Sequence, residues 1–166
     1  EMGSYCTHPR LCPGNVGLYT MQANGEGLFT LGANGESIGK VAKGWSIAAD
    51  GLNWTIEINR GVRFQQGFGE VTAEDVIWSL LENTTEDTVS SYKSPYRRLF
   101  ANDAGSITAT DDYTIAINTG TPSYDLVNQL SGAAGGWIAS KRQSEELGAE
   151  VANHQGALTG PWEPEE

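Results

Sequence analysis

Hydroxyl, thiol and imidazole side chains are the groups from which a nucleophilic active site would be built. Such a site needs a Ser or Cys within reach of a His that a third group orients. The chain has two histidines, His8 and His154, which lie near opposite ends, and it lacks a Gly-x-Ser-x-Gly turn. We interpret both histidines as exposed loop residues and predict that the protein is not an enzyme.

Paired carboxylates are the second set of groups that could do acid–base or metal chemistry. Asp111-Asp112 is typical of a turn, Glu74-Asp75 of a helix start, and Glu145-Glu146 of a helix surface. Acid–base work requires a cleft, whereas these positions favour contact with solvent. Metal-ligand spacings are absent, and no glycine-rich loop is followed by the Lys and Ser/Thr that hold phosphate. We therefore expect no metal and no cofactor.

Cys6 and Cys12 are the only cysteines and lie in a stretch rich in Pro and Gly. A small disulfide loop in an oxidising compartment fits this arrangement. Two free thiols are the alternative interpretation. A pair of metal ligands fits least, because His8 is the one further ligand nearby and the spacing matches no zinc pattern.

Composition limits the partners that the chain can have. The formal net charge is -11, from 21 acidic and 10 basic side chains, so a polyanion would be repelled and we expect no nucleic-acid partner. No apolar run approaches the ~20 residues that a membrane span needs. The end of the sequence, Gly160 to Glu166, is rich in Pro and Glu and has no closing element, so we expect an incomplete chain.

Turn and strand signals recur along the sequence. Trp54, Ile56 and Ile58 alternate with polar residues, a period of two that predicts a strand with one buried face. Asp-Gly and Asn-Gly dipeptides between apolar runs are hairpin signals. The predicted strands are Leu28–Leu31, Trp45–Ala49, Asn53–Asn59, Ser106–Thr110 and Tyr113–Asn118.

Helix signals fall between and after these strands. Thr72 begins the clearest helix, in which apolar residues follow at i, i+3, i+4, i+7 and i+8. Ser94-Pro95 resembles an N-cap followed by Pro at the first helical position, Pro122–Leu130 predicts a short helix, and Ser140 with Gln143 forms a capping box. Locally paired strands must be antiparallel, so the predicted class is α+β.

Two tryptophans are placed where they could meet a ligand or another domain. Trp137 lies in a glycine-rich context and Trp162 near the end of the sequence. Packing in a core or an interface is the simpler interpretation for both.

Several motifs, taken in order, resemble one family: the peptide, oligopeptide and nickel binding proteins of ABC importers (family 5 solute-binding proteins). Any one motif is weak, but their order and spacing from about residue 26 to residue 162 are specific. The matching segments are Glu26-Gly27-Leu28, Val41–Trp45, Asp50–Ile56, Arg60–Phe64, Thr72–Val76, Ser94-Pro95-Tyr96, Asp111–Ile115, Ser140-Lys141 and Thr159–Trp162.

The resemblance implies a division of the chain. Residues 1–36 would be the N-terminal segment of the first lobe, residues 37–152 a small α+β accessory domain, and residues 153–166 a return segment to the first lobe. The second lobe of the two-lobed protein would be missing from this chain. We therefore expect an N-terminal fragment of such a protein.

The resemblance also implies a function. The protein would capture peptides or similar small solutes outside the cytoplasm, in the periplasm or at the cell surface (where a lipid anchor is one option), and deliver them to the membrane permease of an ABC importer. Glu26, Gly27 and Leu28 match the segment that borders the ligand cleft in the family. Two departures stand out: Gly25 replaces an aromatic residue, and Gln65-Gln66 replaces the usual His or Asp.

A second hypothesis keeps the fold and changes the role. The chain would then be a structural or interaction subunit of an extracellular assembly that reuses the fold, because solute capture without a second lobe is implausible. In this case Glu26 would be a turn residue after Asn24-Gly25.

Overall fold

The structure is a computed structural model that describes residues 6–13, 24–100, 105–132 and 135–162. Six strands and five α-helices are assigned there. The strands are β1 (Phe29–Leu31), β2 (Ser37–Gly39), β3 (Ala42–Ile47), β4 (Asn53–Ile58), β5 (Gly105–Asp111) and β6 (Thr114–Thr119). The helices are α1 (Ala73–Glu82), α2 (Lys93–Phe100), α3 (Leu126–Gln129), α4 (Lys141–Leu147) and α5 (Ala149–His154).

Two hairpins combine into one four-stranded antiparallel sheet with the order β3-β4-β6-β5. The first hairpin turns at Asp50-Gly51, where Gly51 has a φ of 71° and the Asp50 carboxylate accepts a hydrogen bond of 2.8 Å from the Leu52 N–H. The Asp111 carboxylate accepts a similar bond of 2.8 Å from the Tyr113 N–H in the second hairpin. β1 and β2 form a separate antiparallel pair. The predicted α+β class is confirmed.

One face of the sheet is buried, as the period-two pattern predicts. Trp54, Ile56 and Ile58 are at most 3% exposed, whereas the residues between them are exposed. The buried positions of β6, Ile115 and Ile117, lie directly opposite Ile56 and Trp54. Helices α1 and α2 contact β5 and β6, and the shared core extends from Leu28 near β1 to Ala157 after α5.

The helix boundaries differ from the predicted ones in two places. Helix α2 begins at Lys93, so Ser94 and Pro95 belong to its first turn. Helix α3 covers four residues instead of the predicted nine of 122–130, because the backbone of Ser123 is bonded elsewhere: its N–H donates to the Gly51 carbonyl and its carbonyl accepts from the Trp54 indole N–H. Ser140 caps α4 as predicted, since its side chain accepts a hydrogen bond from the Gln143 N–H.

A short stretch of residues 6–13, here called the N-terminal strap, lies across the helices. The Thr7 hydroxyl donates to the carbonyl of Ala152 at 2.7 Å, which ties the strap to α5. The carbonyl of Arg10 accepts from the Val89 N–H at 3.0 Å, which ties it to the segment between α1 and α2. Cys6 and Cys12 are joined by a disulfide and pack with Trp137, Ala139 and Leu158 in a second small core.

The first turn of α1 contains a buried carboxylate. The prediction that Glu74-Asp75 faces solvent is right for Glu74 and wrong for Asp75, which is 9% exposed. The Asp75 carboxylate accepts from the Thr72 N–H at 3.0 Å and from the Lys141 N–H at 3.2 Å. It therefore caps α1 and joins the start of α1 to the start of α4. In the part of the chain that is described, no helix is long and apolar enough to cross a membrane.

We predict that Asp75→Ala destabilises the fold by roughly 1–3 kcal/mol, because it leaves two partly buried backbone N–H groups without their acceptor. Urea unfolding followed by circular dichroism measures the change. Glu74→Ala is the matched control in the same helical turn, and it should change the free energy of unfolding by less than about 0.5 kcal/mol. Equal losses in both variants would show that Asp75 has no special role.

Candidate functional site

His8, the first candidate for catalysis, is buried instead of exposed. It is 1% exposed, and its ring packs edge-on against Trp78 at a centroid distance of 5.3 Å. Its Nε2 lies 3.1 Å from the Ser144 hydroxyl, and its Nδ1 accepts from the Arg10 N–H at 3.2 Å. Burial, with a smaller contribution from the charge of Arg10, lowers the pKa of His8 from 6.5 to about 4. The ring is therefore neutral at pH 7.

The polarity of the His8–Ser144 pair is unsuited to nucleophilic catalysis. A neutral imidazole has one N–H donor and one acceptor nitrogen. Because Nδ1 accepts a hydrogen bond, the ring proton is assigned to Nε2. Nε2 then donates to the Ser144 oxygen, so it has no lone pair with which to take the hydroxyl proton. This pair joins the N-terminal strap to α4. His154 is exposed, as predicted, at the end of α5.

Metal and thiol chemistry find no support among the residues that the structure describes. His, Cys, Asp and Glu side chains there form no group of three or more that could hold a metal ion. Both cysteines are in the disulfide, and no free cysteine exists in the chain. The predicted carboxylate pairs at 111–112 and 145–146 are exposed.

A shallow cavity of about 520 Å³ lies where the segment before β1 passes the glycine-rich loop and the end of the described chain. Apolar rings, backbone and one pair of opposite charges make up its wall. The lining residues are Gly25, Glu26, Gly27, Phe29, Thr30, Lys40, Gly132, Trp137 and Pro161.

Glu26 supplies the negative charge of this cavity. Its carboxylate lies 3.5 Å from the Lys40 ammonium, and the two side chains are 33% and 47% exposed. The backbone of Glu26 is fixed on both sides: its N–H donates to the Thr159 hydroxyl at 3.2 Å, and its carbonyl accepts from the Ile138 N–H at 3.4 Å. The carboxylate is thus held at the cavity edge while remaining open to solvent.

Gly27 lines the cavity because its backbone runs against the backbone of Gly132 and Gly136. It forms an isolated antiparallel bridge with Trp137, and the Val41 N–H donates to its carbonyl at 3.3 Å. A Cβ added at Gly27 would stand 2.5 Å from the Gly132 nitrogen and 3.0 Å from the Gly136 oxygen. Glycine is required here by close approach of two backbones.

Leu28, the third residue of the predicted ligand segment, lies outside the cavity. It is 0% exposed and belongs to the main core. Phe29, which does line the cavity, is itself only 1% exposed and belongs to the same core. The place of Leu28 in the ligand segment therefore stays a prediction.

Seven of the nine lining residues were not predicted as ligand contacts, and Lys40, Trp137 and Pro161 are the three with side chains that matter most for the chemistry of the cavity. Lys40 follows β2 and has no sequence signal beyond its charge, and Pro161 belongs to the end of the described chain. Trp137 was noted for its glycine-rich context, and its ring is 7% exposed at the cavity wall. Trp162, also noted, is 68% exposed.

The family of the chain is shown by its sequence. Residues 36–166 match the model of the bacterial extracellular solute-binding proteins, family 5 (middle region). The matched range covers most of the chain, so the protein belongs to this family. No curated protein sequence matches the chain significantly.

Solved structures of bacterial binding proteins share the fold. Listeria monocytogenes OppA bound to peptide is 20% identical with a TM-score of 0.82, and the match covers 98% of this chain and 34% of that one. MoaA from A. tumefaciens R10, in complex with mannopinic acid, is 23% identical with a TM-score of 0.81 and coverages of 98% and 33%. NikZ from Campylobacter jejuni, in complex with Ni(L-His), is 21% identical with a TM-score of 0.76 and coverages of 98% and 31%. The chain spans about one third of the length of these proteins.

We predict that Gly27→Ala destabilises the protein by about 1–3 kcal/mol, because the added methyl group must push two backbones apart. Urea unfolding measures the loss. Gly44→Ala is the control, since a Cβ there meets open space. A Gly27→Ala variant as stable as the control would mean that the close approach is not required.

The buried neutral His8 predicts a pH dependence of stability. Between pH 6.5 and about 4 the unfolded chain binds a proton at His8 and the folded chain does not, so the free energy of unfolding falls as the pH falls. The His8 contribution to the slope of the unfolding free energy against pH is absent above pH 6.5 and is at most about 1.4 kcal/mol per pH unit. His8→Gln should remove it from urea unfolding curves measured between pH 4 and 7.

The exposed His154 provides the control for that measurement. In His154→Gln the free energy of unfolding should depend on pH as it does in the wild type, including the part that comes from the carboxylates. If His8→Gln also kept the full wild-type slope, His8 would titrate alike in the folded and unfolded chains.

Proposed function

We propose that the protein is the ligand-binding component of an ABC importer and captures short peptides or similar small solutes outside the cytoplasm. The observation that carries the proposal is the cavity beside Glu26, in which a carboxylate and an ammonium flank apolar rings and glycine backbone. The partner would be the importer's membrane permease. Membership of the family 5 solute-binding proteins supports this role.

The chemistry of the cavity fits a zwitterionic solute of peptide type. Glu26 can accept hydrogen bonds from a ligand ammonium, and Lys40 can donate to a ligand carboxylate. The two charges lie 3.5 Å from each other, so each is paired with the other. The Trp137 and Phe29 rings and Pro161 provide an apolar wall of the kind that small-molecule sites use.

Structures of similar proteins support a small-solute ligand without fixing it. OppA from L. monocytogenes is described as bound to peptide, and DppA from Helicobacter pylori as in complex with the peptide STSA. MoaA is described with mannopinic acid and NikZ with Ni(L-His). Peptides are the ligand class that we carry over, because the Glu26 carboxylate suits the ammonium at the N-terminus of a peptide.

Residues 1–36 and 153–166 are proposed to belong to a first lobe, and residues 37–152 to a small accessory domain. The two boundaries lie near the segments that meet at the cavity, where the Gly160 N–H donates to the Asn24 carbonyl at 2.9 Å. A second lobe, from a part of the protein beyond this chain, would close over the cavity. This proposal accounts for the shallowness of the cavity and for the fact that the chain spans about one third of the length of similar structures.

We predict that Glu26→Gln weakens binding of a tri- to pentapeptide with free termini about tenfold, because a charge-assisted hydrogen bond to the ligand ammonium becomes neutral. Isothermal titration calorimetry on the natural full-length protein measures the change. An N-acetylated peptide should bind the wild type as weakly as the free peptide binds Glu26→Gln. Glu150→Gln, on an exposed position of α5, is the control.

Three outcomes would count against the proposal. Equal affinity of wild type and Glu26→Gln for the free peptide would remove Glu26 from the site. Absence of heat with peptides, sugars and metal chelates would favour a structural subunit of an extracellular assembly, as would an intact mass of the native protein close to that of this chain.

A further inference from the structure

Gln65 is a buried amide that contacts two distant parts of the chain. It is 7% exposed and lies in a 3-10 turn, Gln65–Gly67, after β4. Its Nε2 lies 3.2 Å from the carbonyl oxygen of Asn24, 2.8 Å from that of Gly160 and 2.7 Å from that of Trp162. Residues 24–28, here called the entry segment, and residues 157–162, the return segment, are thus held by one side chain.

The acceptor half of the same amide is also used. The Leu158 N–H donates to Gln65 Oε1 at 3.2 Å, and the Gln65 N–H donates to the Leu158 carbonyl at 2.9 Å. An amide presents two N–H donors and a carbonyl acceptor at once, so the longest of the three contacts, to Asn24, shares a hydrogen with one of the shorter two. A carboxylate at this position would lack donors toward three carbonyl oxygens, and an apolar side chain would satisfy none of these groups. The surroundings of position 65 therefore require an amide.

Two further glutamines extend the contact along the return segment. Gln143 Oε1 accepts from the Ala157 N–H at 2.7 Å, and Gln143 Nε2 lies 3.1 Å from Gln66 Oε1. Among the residues that the structure describes, Gln66 alone has a positive φ without being a glycine, at 58°. Such backbone conformations persist where the surroundings hold them in place. Here the strained residue places the Gln66 side chain against Gln143 and against the Gln155 carbonyl, which lies just before the return segment.

We infer that Gln65 is a positioning residue for the cavity: it locks the entry and return segments side by side and so sets the distance between Glu26 and Pro161. Direct hydrogen bonds also join the two segments. The Gly160 N–H donates to the Asn24 carbonyl at 2.9 Å, and the Glu26 N–H to the Thr159 hydroxyl at 3.2 Å. These two bonds lie outside any β-ladder. The Gln65 amide contacts both segments and so keeps them in register.

The consequence for ligand binding depends on the proposed function, whereas the lock itself does not. Amide hydrogen exchange, measured by NMR on the ligand-free 166-residue chain, therefore tests the lock alone. Gln65→Met keeps the length of the side chain and removes all its hydrogen bonds. Gln65→Glu keeps the acceptor for the Leu158 N–H and removes the donors.

The two variants should give different patterns of exchange. In Gln65→Met, the Glu26, Leu158 and Gly160 amides should exchange at least about tenfold faster than in the wild type. In Gln65→Glu, Glu26 and Gly160 should accelerate and Leu158 should stay protected. Central sheet amides, such as those of Ile56 and Ile117, should be unchanged in both, as should all sites in the control Gln129→Met.

Two results would overturn the inference. Wild-type exchange at Glu26 and Gly160 in Gln65→Met would show that the amide is a filler of space. Equal acceleration at the segments and in the central sheet would show a general loss of stability instead of a local lock. A retained lock together with absent peptide binding would leave this inference intact and count against the proposed function alone.

Discussion

The antiparallel pairing of β4 with β6 is the constraint on which the rest of the structure depends. Each hairpin by itself would be a two-stranded ribbon, which is marginal in water. The pairing places Trp54 opposite Ile117 and Ile56 opposite Ile115, so that both hairpins contribute to one buried face. Helices α1 and α2 lie between these strands in sequence and cover that face. The segments that form the cavity are then attached to a core that already exists.

Features that depend on neighbouring residues could be predicted from the sequence. Alternation in Asn53–Asn59 predicted the inward-facing side chains, and Asp50-Gly51 predicted the turn, because both signals arise within a few residues. The cap at Ser140 is local in the same sense. The order of the strands is different in kind, since it depends on which hairpin edges meet, and neither edge carries a signal of its partner.

Side chains whose role depends on distant partners could not be placed from the sequence. His8 was expected in solvent, and its burial results from Trp78 and Ser144, 70 and 136 positions further on. Asp75 has the ordinary pattern of a helix start, and only the Lys141 N–H, 66 positions away, makes it a link between helices. Glu26 and Gly27 were located by resemblance to a family, because no local pattern distinguishes them from turn residues.

The cavity and the core are built by different interactions, and they therefore tolerate different kinds of substitution. The core is held by apolar packing and a continuous ladder, which respond to volume and register. The cavity is held by backbone contact at Gly27 and by side-chain amides on carbonyl groups, which respond to donor and acceptor identity. Lys40 and Trp137 can vary without touching the ladder, so the charge and shape of the cavity can be changed on a constant fold.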